Sequence, residues 1–273
     1  MIPNRIKKWE DKDTGFRYSI YDHRPEPHPS PSSILGLWKW DSGGLDNWRA
    51  KVGIAKSNAI RDASAAIGTM LHDAFENYTK GVTVEVPEKY KALYTETCQW
   101  IDKQEWKEVI GTEVSLVHLD HVFGGTVDLI VRTKKDKIRV IDYKTGDLRG
   151  YDPKKHTYFR YSPSKMVKTG EQMAAYAKAY ESMTGIKVDE LQVVNPSVKT
   201  NRMEATNVYT HIDYLYKGFL HRLEAWKHEN FNMLVKGFYA PGDEKILLKW
   251  DMKLVLSDFL EQFNLEQFNQ GGK

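Results

Sequence analysis

Apolar residues recur at three- and four-residue steps through residues 45–78, where Trp48, Val52, Ala55, Ala59, Ala63 and Ala66 lead into Gly68-Thr69-Met70-Leu71-His72. That spacing predicts a long helix. A second helical stretch, 88–103, carries Tyr90, Leu93, Tyr94, Cys98 and Ile101. The period then falls to two over 113–119 and 122–131, on either side of a turn at Asp120-His121, and again over 138–143 after a charged turn at 133–137. These read as three strands in antiparallel succession, the last one stopped at Thr145-Gly146. A basic, aromatic loop is expected up to Gly170, then a helix over 171–183 and a fourth strand over 190–195 stopped by Pro196. A last amphipathic helix over 211–229 would present Leu215, Phe219, Leu223 and Trp226 on its apolar face. Upstream, Pro25, Pro27, Pro29 and Pro31 point to a loose, extended lead-in over 1–27. Ser32 and Ser33 then offer hydroxyl caps for a helix starting near Ile34. The order of helices, three strands, helix, strand and helix predicts one α/β domain on a mixed sheet over 28–230, followed by a C-terminal extension over 231–273.

Composition narrows the class. The 273 residues are 41% hydrophobic and 28% charged, as in ordinary globular proteins. No uncharged apolar run reaches the roughly 18 residues a membrane helix needs. The first residues, MIPNRIKKWEDKD, lack the apolar core of a secretory signal. The lone Cys98 excludes a disulfide framework, a cysteine-rich zinc site and a four-cysteine iron–sulfur cluster within one chain. A reducing compartment, the cytoplasm of a bacterial or phage-infected cell, is the expectation. The formal net charge is only +3, yet residues 131–180 hold 13 Lys/Arg against 5 Asp/Glu. Positive charge is therefore concentrated in one stretch.

The candidate chemistry lies at the strand ends. Asp128 follows Gly124-Gly125 on the second strand, and the third ends Ile141-Asp142-Tyr143-Lys144. Asp142 and Lys144 are two apart, so their side chains share a face. If the strands pair, Asp128 comes within reach of Asp142. Two carboxylates and a lysine at a strand terminus suit a hard divalent cation acting on a phosphate; a solvated Asp142–Lys144 salt bridge is the plain alternative. On the long helix, Gly68 and His72 share a face with Glu76, and the glycine would let another group approach the imidazole. A core helix with a hydrogen-bonded histidine would read the same way. Gln172 and Tyr176 form a third i,i+4 pair, in a helix rich in small alanines.

Taken in order, Gly-Thr-x-x-His, Gly-Gly-Thr-Val-Asp, Val-Ile-Asp-Tyr-Lys-Thr-Gly and Gln-x-x-x-Tyr resemble the RecB-like branch of the PD-(D/E)XK nuclease superfamily. Within it the chain looks most like the mitochondrial genome maintenance exonuclease group and its phage and bacterial relatives. Pro29-Ser30-Pro31-Ser32-Ser33-Ile34-Leu35 and Leu45-x-x-Trp48 fit that group too. The resemblance covers residues 28–195. It implies a PD-(D/E)XK nuclease-like core of helix, three-stranded antiparallel meander, helix and further strand, with added N-terminal and C-terminal helices. It also implies a Mg²⁺- or Mn²⁺-dependent DNA exonuclease, acting on single strands or DNA ends and leaving 5′-phosphates. His72, Asp128 and Asp142 would be metal ligands together with the Tyr143 carbonyl, and Lys144 the catalytic lysine. Glu113 matches an acidic position with a role in catalysis, while Gln172 and Tyr176 would hold DNA or order the core. Val127 stands where the eponymous motif has proline. The iron–sulfur subgroup is excluded by the lone cysteine. Replication or recombination proteins are the partners such an activity would have.

With that reading, the basic stretch becomes a DNA-guiding element. Arg149, Lys154, Lys155, His156, Tyr158, Phe159, Arg160, Tyr161, Lys165 and Lys168 alternate cations with rings. Phosphates are neutralised by the former and bases stacked on the latter; a solubilising surface loop is the alternative. His118-Leu-Asp-His121 has the composition of a metal cluster, but a strand followed by a turn would aim the two imidazoles apart. Trp38, Trp40 and Trp48 are expected in the core. Two rival functions stay open: an endonuclease on the same core, and a catalytically silent DNA-binding or assembly module.

Overall fold

The computed structural model describes residues 5–10, 17–21, 24–36, 44–152, 154–206 and 208–229. It opens with an antiparallel three-stranded sheet, β1 (Arg5–Glu10), β2 (Arg17–Tyr21) and β3 (Arg24–Pro29), where a loose lead-in was expected. Pro25, Pro27 and Pro29 occupy alternate positions of β3, an edge strand, where missing N–H groups cost least. Helix α1 (Pro31–Gly36) is capped by Ser30 instead of Ser32 or Ser33: the Ser33 N–H donates to Ser30 Oγ at 3.2 Å. The long helical pattern divides into α2 (Gly44–Val52) and α3 (Ile54–Thr79), because Gly53 adopts φ +84°. Helix α4 (Glu88–Gln104) follows as expected.

Next come the meander strands β4 (Glu108–Val117), β5 (Gly124–Arg132) and β6 (Ile138–Tyr143). β4 starts five residues before the visible alternation, which a register shift between Val109 and Gly111 interrupts. The expected loop contains a small hairpin, β7 (Gly150–Asp152) and β8 (Thr157–Phe159). It also contains the first eight residues of α5 (Pro163–Thr184), which has proline at its first turn and is closed by Gly185 at φ +71°. β9 (Glu190–Ser197) runs through Pro196 instead of stopping there. Pro196 lies past the last β6 pair, Tyr143↔Val194, so no β6 carbonyl loses a donor. β10 (Arg202–Ala205), which alternation did not reveal, pairs with β9, and α6 (Ile212–Glu229) completes the described chain.

The central sheet has the order β10-β9-β6-β5-β4, antiparallel except for the β6–β9 pair, which α5 connects. Helices α3 and α4 cover one face, where Leu71, Phe75, Leu93 and Ile101 pack on Leu129, Val131, Ile141, Tyr143 and Val194. Helices α5, α6 and α1 cover the other, where Met173, Ala174, Ala177, Phe219, Leu223 and Trp226 pack on Val127, Ile130, Val140, Leu191 and Val193. The alanines of α5 let its backbone lie close to the sheet. The mixed α/β architecture is the one expected. Among the described residues no helix is long and apolar enough to cross a membrane. Residues 231–273, Trp38 and Trp40 lie outside the described residues.

Candidate active site

Three carboxylates stand at one level of the sheet. The pairs Thr112↔Leu129 and Val114↔Val127 bracket Glu113 and Asp128, and the β5–β6 ladder ends at Leu129↔Ile141, one step before Asp128 and Asp142. The strict alternation of side chains fails here. Val127 packs with the α5 side, and a Cβ on Gly125 would stand 2.9 Å from the Tyr176 ring of α5. Leu129 and Val131, by contrast, pack with α3 and α4. Asp128 and Leu129 therefore turn to the same side. Opposite, Glu113 holds φ +47°, a conformation costly for a residue with a side chain. Both acids are thereby presented to α3.

His72 comes from α3 to meet them. Its Nδ1 lies 3.3 Å from Asp128 Oδ1, while Asp128 Oδ2 accepts the Tyr143 N–H at 2.6 Å. His72, Glu113 and Asp128 each offer a ligand atom, and these atoms all lie within 4.8 Å of one another. Burial works against a charged imidazole, but the hydrogen bond and charge of Asp128, with Asp142 adding, raise His72 above its ordinary pKa. Glu113 is exposed as a residue, yet desolvation of its carboxyl and the neighbouring Asp128 push it up to about 7. Crowded acids that resist ionising together are what a cation would relieve. One imidazole and two carboxylates fit a divalent metal ion.

Asp142, expected in that ligand set, is not in the three-residue group. It continues the Ile138–Val140 side of β6, which packs toward α5, whereas His72 approaches from α3. Asp142 is 3% exposed, and its Oδ2 lies 2.7 Å from Lys144 Nζ. Burial, with the charge of Asp128 adding, raises the Asp142 carboxyl, while Lys144 pulls it down. Lys144 Nζ also donates to Gln172 Oε1 at 3.2 Å, and Gln172 Nε2 donates to the Tyr176 hydroxyl at 3.2 Å. The Gln-x-x-x-Tyr pair thus orients the lysine from α5. Tyr143 packs its ring on Phe75, 5.1 Å between centroids.

Two positions explain how these pieces stay together. A Cβ on Gly68 would stand 3.1 Å from Thr145 Oγ1, so the glycine one turn before His72 admits the segment that follows Lys144. Asn195, a buried β9 residue not singled out as a site candidate, donates its side-chain N–H groups to the main-chain oxygens of Lys144 and, at 2.8 Å, Gly146. Its signal in the sequence was slight: one amide side chain at the end of an apolar strand.

The basic stretch is more divided than its composition implied. Arg132 pairs with Glu108, Lys134 with Glu105, Lys137 and Arg139 with Glu190, Arg160 with Glu204, and Lys178 with Glu181 and Asp213. All of these acids lie outside 131–180, so cross-strand and interhelix contacts answer much of the local excess. Lys165 Nζ donates to the main-chain oxygens of Asp147 and Arg149, a tie within the loop. Lys154 and Lys155 are exposed in the β7–β8 turn. Tyr158 is 56% exposed, with the Arg149 guanidinium 4.7 Å and Lys199 Nζ 5.7 Å from its ring centre. His118 Nδ1 accepts the N–H groups of Asp120 and His121, both at 3.2 Å, so it shapes the β4–β5 turn.

No curated protein matches the chain. Among solved structures, the chain is similar to an alkaline exonuclease from Laribacter hongkongensis, with 12% identity, 77% of this chain and 94% of that chain covered, and a TM-score of 0.32. A family model for the PD-(D/E)XK nuclease superfamily matches residues 99–236. That span is half of the sequence and contains Glu113, Asp128, Asp142, Lys144, Gln172 and Tyr176. The chain belongs to the PD-(D/E)XK nuclease superfamily.

Proposed function

We propose that this protein is a divalent-metal-dependent DNA exonuclease of the RecB-like branch, acting on single-stranded DNA or DNA ends and leaving 5′-phosphates. The observation that carries this reading is the meeting, at one end of the sheet, of the His72–Glu113–Asp128 donor group with the Asp142–Lys144 pair. A bound Mg²⁺ or Mn²⁺ would polarise the scissile phosphate and supply hydroxide from water at neutral pH. His72, Glu113 and Asp128 would hold it, with Asp142 and Tyr143 at the same end of the sheet.

The rest of the chemistry belongs to the chain's own side chains. Lys144 is fixed between Asp142 Oδ2 and Gln172 Oε1, so its ammonium is oriented before substrate arrives. A preorganised cation of this kind stabilises charge that develops on phosphate oxygens in the transition state. Asn195 holds the main chain on either side of Thr145 and so sets the height of Lys144 above the sheet. The exposed Lys154, Lys155 and Tyr158, with Arg160, would guide the strand.

The test uses 5′- and 3′-labelled single strands and duplexes with a circular control, with and without Mg²⁺. Linear DNA is degraded only with metal, and Lys144→Ala, Asp142→Ala and EDTA each abolish degradation while DNA binding in EDTA persists. Unchanged digestion by Asp142→Ala sinks the site. Cleavage of the circle converts the assignment to an endonuclease, and binding without any cleavage converts it to a silent DNA-binding module.

A further inference from the structure

Lys168 differs from most cations of its stretch. It lies on α5 one turn before Gln172 and two before Tyr176, so the three side chains line one face of the helix. That face looks into the site, because Gln172 contacts Lys144 and Tyr176 contacts Gln172. Among the described residues Lys168 has no carboxylate partner and no hydrogen-bond acceptor, whereas Lys134, Lys137, Arg139, Arg149, Arg160 and Lys178 each have a carboxylate.

Its neighbours sharpen the contrast. Lys168 is half-buried, and among the described residues the charges of Lys144 and Arg222 act on it. Partial burial and these two cations all disfavour its charged form. Lys144 is already engaged by Asp142, and Arg222 by Glu171. A half-buried ammonium with cations for neighbours is electrostatically incomplete without an anion, and a nucleic acid presents one phosphate per nucleotide.

We propose that Lys168 is a phosphate-binding residue of the active site, engaging the backbone phosphate next to the one held at Lys144. This rests on the nuclease reading above and adds a specific contact to it. Lys168 would set the register of the strand on α5, one helical turn along from Gln172. Its place on a rigid helix distinguishes it from the lysines of the β7–β8 turn.

The proposal is tested with Lys168→Met, which keeps the apolar stem, and Lys168→Arg, which keeps the charge. Binding of a labelled single strand is measured by anisotropy in EDTA over a range of salt. Losing one phosphate contact should lower the salt slope by about 0.7 and weaken binding about fivefold at 0.1 M salt for Lys168→Met, with Lys168→Arg close to the unmutated protein. Single-turnover digestion of strands carrying one neutral methylphosphonate is the second readout. One position beside the cleaved bond should slow the unmutated protein and leave Lys168→Met no slower than on unmodified DNA. A Lys168→Met protein with unchanged affinity, salt slope and methylphosphonate profile overturns the proposal while leaving the nuclease intact. Equal loss in Lys168→Arg also overturns it, since the role would then be packing. If the unmutated protein neither binds nor digests linear DNA, the nuclease reading fails first and this contact with it.

Discussion

Replacing Asn195 separates the support of the site from its chemistry. Asn195 is 4% exposed, and its amide spans from β9 to the main-chain oxygens of Lys144 and Gly146. Asn195→Ala removes two donated hydrogen bonds. At a net contribution of about 0.5–1.5 kcal/mol each, the loss is about 1–3 kcal/mol. With a urea dependence of about 1–3 kcal/mol per molar, the unfolding midpoint should fall by roughly 1 M, read by tryptophan fluorescence. Digestion of labelled DNA should fall further than stability does, because a displacement of about 1 Å at a positioned group can cost about a hundredfold in rate. Asn195→Asp keeps the shape but sets a carboxylate against two carbonyl oxygens, and burial would raise its folded pKa above the unfolded value. Its penalty is therefore full above the folded pKa and shrinks as pH falls toward the unfolded value, where the protonated acid donates one bond again. An Asn195→Ala protein with unmutated midpoint and digestion rate would refute the reasoning, as would an Asn195→Asp penalty that does not vary with pH.

Gly125→Ala tests the close approach of β5 to α5. The added Cβ would stand 2.9 Å from Tyr176 Cε1 and 3.3 Å from Pro31 Cδ, both in packed surroundings, so a loss of about 1–3 kcal/mol in urea unfolding is expected; an unchanged midpoint would show that the ring gives way. Asp147 is held well below the usual carboxylate range by the hydrogen bonds it accepts from the Arg149 guanidinium and main-chain N–H, with a further one from Lys199. A depressed folded pKa contributes stability that is present above the unfolded value of about 3.9 and is lost as pH falls through the folded one. Asp147→Asn should therefore be less stable at pH 7 and converge on the unmutated protein as pH drops below about 4, whereas a pH-independent difference would assign the effect to shape alone.

Much of this protein is written locally. Periodicity located α4 and α6 almost to the residue because each buries one regular face, and β6 because a short apolar run bounded by turns marks a strand buried on both faces. Spacing on one element puts Gly68 with His72, Asp142 with Lys144 and Gln172 with Tyr176 on common faces, while Asp128, on another strand, joined them through the order of motifs that resembles the nuclease family. Where local signals mislead, a nonlocal partner is responsible. The start of α5 was hidden by a run of basic residues, and Lys165 there satisfies loop carbonyls 16 and 18 positions away. β10 has only four residues and exists through its pairing with β9.

The arrangement of the acids belongs to the tertiary structure. Strict alternation cannot anticipate that β5 changes face at Asp128, or that Glu113 takes φ +47° opposite it. Those two local distortions group Glu113 with His72 and Asp128 and leave Asp142 with Lys144. Charge was redistributed in the same way. A count along the chain finds a basic block at 131–180, but Glu105, Glu108, Glu190 and Glu204 reach it from other elements. Charge interacts through space and not along sequence, so only the fold could show which cations were already answered and that Lys168 was not.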